Sequence, residues 1–415
     1  MKKRWIAWIL LLAMAVLLLP VSAAAAPTEG TWGAEGCEED VRWSYADGVL
    51  TFYGQGKTED YYNDEQTPLP WKEWLPQIKK AVIEEGITGI GRQTFHGCEE
   101  LETAVLPASL AEGENTGLEL CPKLREIRLA EGSRNYSVKD NVLYKKDANT
   151  LTCYPAGKTD RSYTVENGTE QIADRAFSDN KALEKLVLPE GLRRIGEGAF
   201  EQCTSLKDIH IPDSLESVGF LPVAGTAYEQ APEHWKGSLL YLGNWLLWAK
   251  NTGEKENIEI RPGTAGIADN ALYRYLSDNI ISVSIPDSVK YIGESALYGC
   301  GASEIQLPKN LVSLGKSVFS NCKKLKRIEL PDQLTEVPRY TFFSDTALKE
   351  VILPKNLKKI GIQAFGCCSS LKEIHIPAGV TEIEHSAFDG CTALKDIYYD
   401  GSRTAWEKMC LNNIF

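Results

Sequence analysis

The sequence predicts a β-rich solenoid of about twelve coils, each of about 23 residues with one short strand and one short helical or 3-10 turn. Three observations predict it. Pro308, Pro331, Pro354 and Pro377 each lie 23 residues apart, and Pro189 and Pro212 keep the same interval. Around them recurs the string Leu-x-x-Ile-x-Ile-Pro-x-x-Leu-x-x-Ile-Gly-x-x-Ala-Phe-x-x-Cys, clearest from Leu371 through Pro377, Ile383 and Phe388 to Cys391. Cysteine then gathers at one place in the period: Cys98, Cys121, Cys203, Cys300, Cys322, Cys368 and Cys391 share it, with Asn180 and Asp345 standing in elsewhere.

Each part of the period has a physical reason. Ile-x-Ile-Pro alternates as a half-buried strand does, and proline ends it where no ladder donor is needed. Gly-x-x-Ala-Phe is too short for an isolated helix, so tertiary packing must hold a single helical or 3-10 turn. No coil buries its apolar side alone, so stacked coils are expected to share one continuous core of Leu, Ile, Phe and Cys. For the same reason 415 residues need not mean about three globular domains.

Along the chain, residues 1–25 read as a secretory signal peptide. Lys2, Lys3 and Arg4 precede an apolar run from Trp5 to Leu19 and the small residues Ser22 to Ala26. The other reading, an uncleaved anchor, is weakened because that run falls short of the ~20 residues a spanning helix needs. Residues 26–77 read as an N-terminal capping module: Val41 to Tyr45 and Val49 to Tyr53 flank an Asp47-Gly48 turn, with Trp71 and Trp74 following. Coils fill 78–130, 161–223 and 258–397. A hairpin insertion at 131–160 interrupts them around Asn141 to Tyr144 and Leu151 to Tyr154, and an aromatic hairpin insertion at 224–257 carries Tyr228, His234, Trp235, Tyr241, Trp245 and Trp248. Residues 398–415 form a terminal module.

The repeated string resembles the BspA-like, or treponemal-type, leucine-rich repeats of bacterial surface and secreted proteins. The resemblance spans nearly the whole mature chain. The hairpin from Trp43 to Gly54, followed by Trp71, is similar to the cap that precedes such repeats, and Asn141 to Lys158 is similar to a hairpin many members insert. Tyr398 to Ser402 with Trp406 is similar to their terminal module, in a shortened form. The resemblance implies a right-handed superhelix, a bacterial cell-surface or extracellular location, and adhesion to matrix proteins, other bacteria or glycans. No sorting signal or surface-layer module is recognisable at the end, so covalent attachment to the wall is not expected.

Composition narrows the function classes. The formal net charge of −12 becomes −15 without the three leader basic residues, which argues against nucleic acid or anionic lipid as a general partner. The five histidines show no His-Glu-x-x-His pair or zinc-like spacing, no serine sits in a Gly-x-Ser-x-Gly elbow, and no phosphate-binding glycine loop is present. A non-catalytic, monomeric protein without cofactor or metal is therefore expected. Coils ~4.8 Å apart would hold column cysteines within the ~4.4–6.8 Å range of a disulfide. Reduced core thiols are nevertheless the favoured reading over a bond such as Cys300 to Cys322, because parallel inward side chains would have to twist.

Recognition is left to two surfaces. On the strand face, outward positions stack into columns, and the C-terminal stretch collects Arg327, Glu329, Glu350, Ile352, Glu373, His375 and Tyr398. The choice there lies between a solvated face and an interface mixing charge, an aliphatic and an aromatic. In the second insertion, Trp235, Tyr241, Trp245 and Trp248 either stack on a sugar or anchor a partner, or pack on the solenoid as one side of a hairpin. The expected role is binding of an extracellular protein or glycan, and the alternative is a structural envelope component without a discrete ligand.

Overall fold

In the computed structural model, which describes residues 28–61, 68–111, 117–273 and 279–410, the chain winds as a β-solenoid of about 13 turns, mostly strand and little helix. The expected signal peptide lies outside the described residues. Among the described residues no helix is long and apolar enough to cross a membrane.

The Ile-x-Ile segments form the expected parallel ladder. Ser162–Thr164, Lys185–Val187 and Asp208–His210 pair in register, with Tyr163 opposite Leu186 and Leu186 opposite Ile209. The structure adds a second ladder of two-residue strands on the Ile-Gly side of each coil. Gln171–Ile172, Arg194–Ile195 and Ser217–Val218 form one stretch of it, and Glu336–Val337, Lys359–Ile360 and Glu382–Ile383 another. A two-residue strand contributes one buried side chain and shows no alternation, so it leaves no period-2 trace in the sequence.

The Gly-x-x-Ala-Phe segment is a single tight turn that cannot lengthen into a helix. Ser320 N–H donates to Ser317 O, Phe343 to Tyr340 and Gly366 to Gln363, at 3.0–3.1 Å. Ser317, Tyr340 and Gln363 have φ of 58°, 59° and 46°, and Asn321, Ser344 and Cys367 have φ of 62°, 65° and 59°. Left-handed non-glycine residues cost roughly 1–2 kcal/mol each. Hydrogen bonds between coils offset this, as Phe319 N–H donates to Thr341 O, Phe342 to Ala364 and Phe365 to Ala387. The donors that would propagate a helix are thus committed to the next coil. The phenylalanines stack behind them, with ring centroids 5.4–5.5 Å apart from Phe319 through Phe342 and Phe365 to Phe388.

The cysteine column is buried apart from half-buried Cys391, and its thiols are free. Cys203, Cys322 and Cys368 donate to carbonyls of the preceding coil, Phe177, Leu297 and Phe342, at 2.9–3.3 Å. Burial pushes the Cys98 and Cys203 thiols up to about 12, away from the reactive thiolate.

One expectation needs correction: the core is not continuous. Three apolar clusters follow one another, and each boundary is an inserted hairpin. Leu143 and Cys153 face the N-terminal cluster while Val142, Tyr144, Leu151 and Tyr154 face the middle one. Leu240, Leu242, Trp245 and Trp248 face the middle cluster while Leu239, Tyr241 and Leu246 face the C-terminal one. Strand alternation thus sends neighbouring side chains into different cores, and each hairpin is a septum buried on both sides. The septa join the second ladder edge on: Thr150–Cys153 pairs parallel with Gln171–Ile172, and Trp245–Ala249 with Gly266–Ile267. Gly266 is glycine for a steric reason, since a Cβ there would lie 2.4 Å from the Trp245 ring.

The ends are closed as an open apolar coil requires. Val41–Ala46 and Val49–Gly54 form the N-terminal hairpin, with Ala46 opposite Val49 across Asp47 and Gly48, whose φ values of 49° and 80° suit a tight hairpin turn. Its second strand pairs parallel with Lys80–Ile83 of the first coil, and Trp71 packs edge-on against Trp43 and Phe52 at 5.5 and 5.2 Å. At the other end, helix Arg403–Cys410 lays Trp406 beside Tyr399 and buries Met409.

Candidate binding surface

The strand face of the last coils is built from Arg327–Glu329, Glu350–Ile352, Glu373–Ile376 and Asp396–Tyr399. Ile328, Val351 and Ile374 point into the core, so the residues on either side of them point to solvent. Register sets Arg327 opposite Glu350, Glu329 opposite Ile352, Glu373 opposite Asp396 and His375 opposite Tyr398. Two outward rows result. One is charged, Arg327, Glu350, Glu373 and Asp396; the other runs Glu329, Ile352, His375 and Tyr398.

Arg327 bridges Glu350 at 3.2 Å and Glu329 at 3.6 Å, which neutralises the early part of the acidic row. Glu373 and Asp396 make no ion pair among the described residues. Beside them, His375 stacks on Tyr398 with ring centroids 4.5 Å apart and planes 21° from parallel. Tyr398 is 45 % exposed and Ile352 37 %, so both present apolar area that the coil stack leaves uncovered. The ladder opens twice: Glu304 makes only an isolated bridge to Arg327, and Glu350–Ile352 and Glu373–Ile376 belong to separate two-stranded sheets, so each row is two paired steps in adjacent coils. A groove of about 390 Å³ lies between Glu304–Leu307 and Arg327–Pro331.

The aromatic insertion divides differently. Tyr241, Trp245 and Trp248 are 2 %, 1 % and 4 % exposed, sealed in the septum, so of the two readings open for them the structure has packing. Their burial is double-sided, and not the single packed side expected of a surface hairpin. Tyr241 Oη accepts from Arg261 N–H at 3.0 Å, and the Arg261 guanidinium lies 4.3 Å over its ring. Only Trp235 keeps access: half-buried, with Nε1–H donating to Glu229 O at 2.7 Å, it borders a shallow depression with Gln230, Lys250 and Asn251.

One feature escaped the two-column reading. Lys326, Lys349, Lys372 and Lys395 stand one position before the acidic row, and all four are exposed. The same 23-residue count taken one residue earlier finds them. Among the described residues no group of three or more His, Cys, Asp or Glu side chains could hold a metal ion.

The family comparison agrees with the repeat architecture. The chain matches the model of the BspA type leucine rich repeat region in six copies, over residues 73–155, 158–225 and 265–395. It is similar to a leucine rich cell surface protein from Faecalibacterium prausnitzii A2-165 of solved structure, with 21% identity over 93% of this chain and 98% of that one and a TM-score of 0.30. A leucine-rich repeat protein from Eubacterium ventriosum ATCC 27560 is 19% identical over 89% of this chain and 96% of its own, with a TM-score of 0.30. The pneumococcal vaccine antigen PcpA is 17% identical over 90% and 99%, with a TM-score of 0.31. No curated protein matches. With its family model covering more than half of the residues, the chain belongs to the BspA-type leucine-rich repeat family.

Proposed function

We propose that this is an extracytoplasmic, non-catalytic binding protein whose C-terminal strand face recognises a protein partner through an extended cationic segment carrying an apolar side chain. One observation carries the reading: unpaired Glu373 and Asp396 run alongside exposed Ile352, His375 and Tyr398. Carboxylates without internal partners favour lysine or arginine from outside, and the stacked rings offer an anchor for an apolar or aromatic residue. The basic, apolar and small-residue series at the N-terminus supports export. Membership of a leucine-rich repeat family, whose fold is typically non-catalytic, supports binding over catalysis.

The test is saturable binding of the purified mature chain to a panel of extracellular matrix proteins and basic peptides. The paired change Glu373→Lys with Tyr398→Ala should weaken the best binder at least tenfold, while Trp235→Ala leaves it unchanged. Binding that survives the paired change, or turnover of a substrate abolished by one side-chain substitution, would sink the reading.

A further inference from the structure

We infer that the flank of the last four coils binds a linear anionic polysaccharide along Lys326, Lys349, Lys372 and Lys395. These lysines stand at one position of four successive coils and stack as two hydrogen-bonded pairs: Lys349 N–H donates to Lys326 O and Lys395 N–H to Lys372 O, both at 2.9 Å. Ser370 Oγ–H donates to Thr346 O at 2.6 Å and ties the middle pair of coils together. At ~4.8 Å per coil the row spans about 14 Å. All four side chains are exposed, and none makes an ion pair among the described residues.

The same column earlier in the chain shows what a structural solution looks like. There it reads Arg161, Glu184, Lys207: signs alternate, and Glu184 binds Arg161 on one side and Lys207 on the other. Four stacked like charges oppose folding, because neighbours of one sign repel across a ladder. A multivalent polyanion removes that repulsion and releases its own counterions on binding. A single small anion gains little, since each ammonium is an isolated point charge with no backbone cradle around it.

The surroundings fix the side on which the polymer lies. Glu350, Glu373 and Asp396 follow the lysines on the strand face and repel it there, with Glu350 already held by Arg327. Three residues before the lysines the chain presents Thr346 and Thr392, exposed hydroxyls without charge, and exposed Lys323. An anionic chain therefore runs across the coils along this flank, taking ammonium contacts at regular intervals and hydroxyl hydrogen bonds between them. This site is separate from the strand face and does not depend on the protein partner proposed for it.

The experiment measures binding of dextran sulfate, a phosphodiester-linked polyol, neutral dextran and single-stranded DNA to the full mature chain, as a function of salt. Affinity for the sulfated polymer should fall steeply with salt, with a log–log slope of about −3 if four lysines each displace a counterion. If the phosphodiester-linked polyol, and not single-stranded DNA, binds better than dextran sulfate, the anion read is phosphate and the row is still supported. The double change Lys349→Glu with Lys395→Glu restores alternation, so it should abolish polymer binding while the thermal midpoint holds or rises. Lys326→Gln with Lys372→Gln should halve the salt slope without creating new ion pairs. Glu373→Lys with Tyr398→Ala should leave polymer binding intact or stronger, which separates this site from the strand face. Absence of dextran sulfate binding at low salt, equal binding by the alternating variant, or tighter binding of single-stranded DNA would overturn the proposal.

Discussion

The middle coils, around Ser162–His210, and the last coils, around Arg327–Tyr399, are built from one repeat and both pair charges on the second ladder, as Lys359 does with Glu384 at 2.7 Å, but they differ in what the charges beside the strand face do. In the middle, Glu184 joins Arg161 and Lys207, and Lys185 meets Asp208 at 3.1 Å. In the last coils lysines fill one row and carboxylates most of the next. Arg327 alone carries the opposite sign in that carboxylate row and pairs within it. A scaffold that needs charge only for solubility can alternate signs and close them on itself. Segregated rows forgo that local gain, and their charges stay open to an external partner. The exposed apolar row of Ile352 and Tyr398 lies in the same coils as the segregated charges.

The two regions also have separate cores, and the deepest way to break the comparison is at the septum between them. Trp245 faces the middle cluster, 1 % exposed, and stacks with Tyr291 at 6.2 Å. Trp245→Ala should cost about 3–5 kcal/mol. Because adjacent coils contact only their neighbours, the loss should appear first on the middle side. Hydrogen exchange is the readout: amides of Arg194–Val218 should lose protection while those of Lys359–Ile383 keep theirs. Uniform loss along the chain would mean that the septum does not divide the cooperative units.

A smaller effect sharpens the contrast inside the cysteine column. Asn180 stands in the column in the middle coils with its hydrogen-bonding groups engaged: Nδ2 donates to Ala156 O and Lys158 O, and Oδ1 accepts from Ala182 and Leu183 N–H. Asp345 occupies the same position later and accepts from Cys322 N–H at 2.8 Å, but its Oδ2 is buried without a partner. Burial holds its carboxyl well above the ordinary aspartate range. The raised folded value makes its contribution fully present below the unfolded value near 3.8, and lost as pH rises through the folded one. Asp345→Asn should therefore stabilise the last coils by about 1–3 kcal/mol at neutral pH. The gain should shrink toward zero near pH 4, as followed by chemical denaturation at both pH values. A gain of equal size at both would show that charge is not its cause.

The period made the scaffold readable, because a side chain buried in every coil recurs at a fixed interval whatever surrounds it. Phe342, Phe365 and Phe388, with Cys368 and Cys391, fall where the count of 23 puts them. The second ladder was hidden because Arg194–Ile195 and its equivalents are too short to alternate. The septa were half legible: Leu239–Leu242 and Trp245–Ala249 read as a hairpin, yet a run buried on both faces looks like one buried on a single face until its neighbours are known. The acidic and aromatic rows were visible as columns, and the ion pairs that tell which acids remain free depend on side-chain directions that no spacing encodes. For Asp345 the sequence showed an exception to the cysteine column and not the orphaned oxygen that makes the exception costly.

The mildest perturbation exchanges the two charge patterns. Glu184→Lys in the middle coils turns Arg161, Glu184 and Lys207 into a cationic row like that of the last coils, losing two ion pairs and adding like-charge contacts. Surface pairs contribute little each, so the expected change is a fall of the order of 1–2 °C in the unfolding midpoint, largest at low salt. Hydrogen bonds from Arg161 and Lys207 hold the Glu184 carboxyl below its ordinary value of 4.5. A lowered folded value gives a contribution present above 4.5 and lost as pH falls through the folded value, so wild type and Glu184→Lys should converge on acidification. The informative comparison is with dextran sulfate: if a row of like-charged lysines is sufficient for binding, Glu184→Lys should acquire weak, salt-sensitive affinity at the middle coils. If it acquires none, the hydroxyl-bearing flank at Thr346 and Thr392 is a required part of the site, and charge segregation alone does not make one.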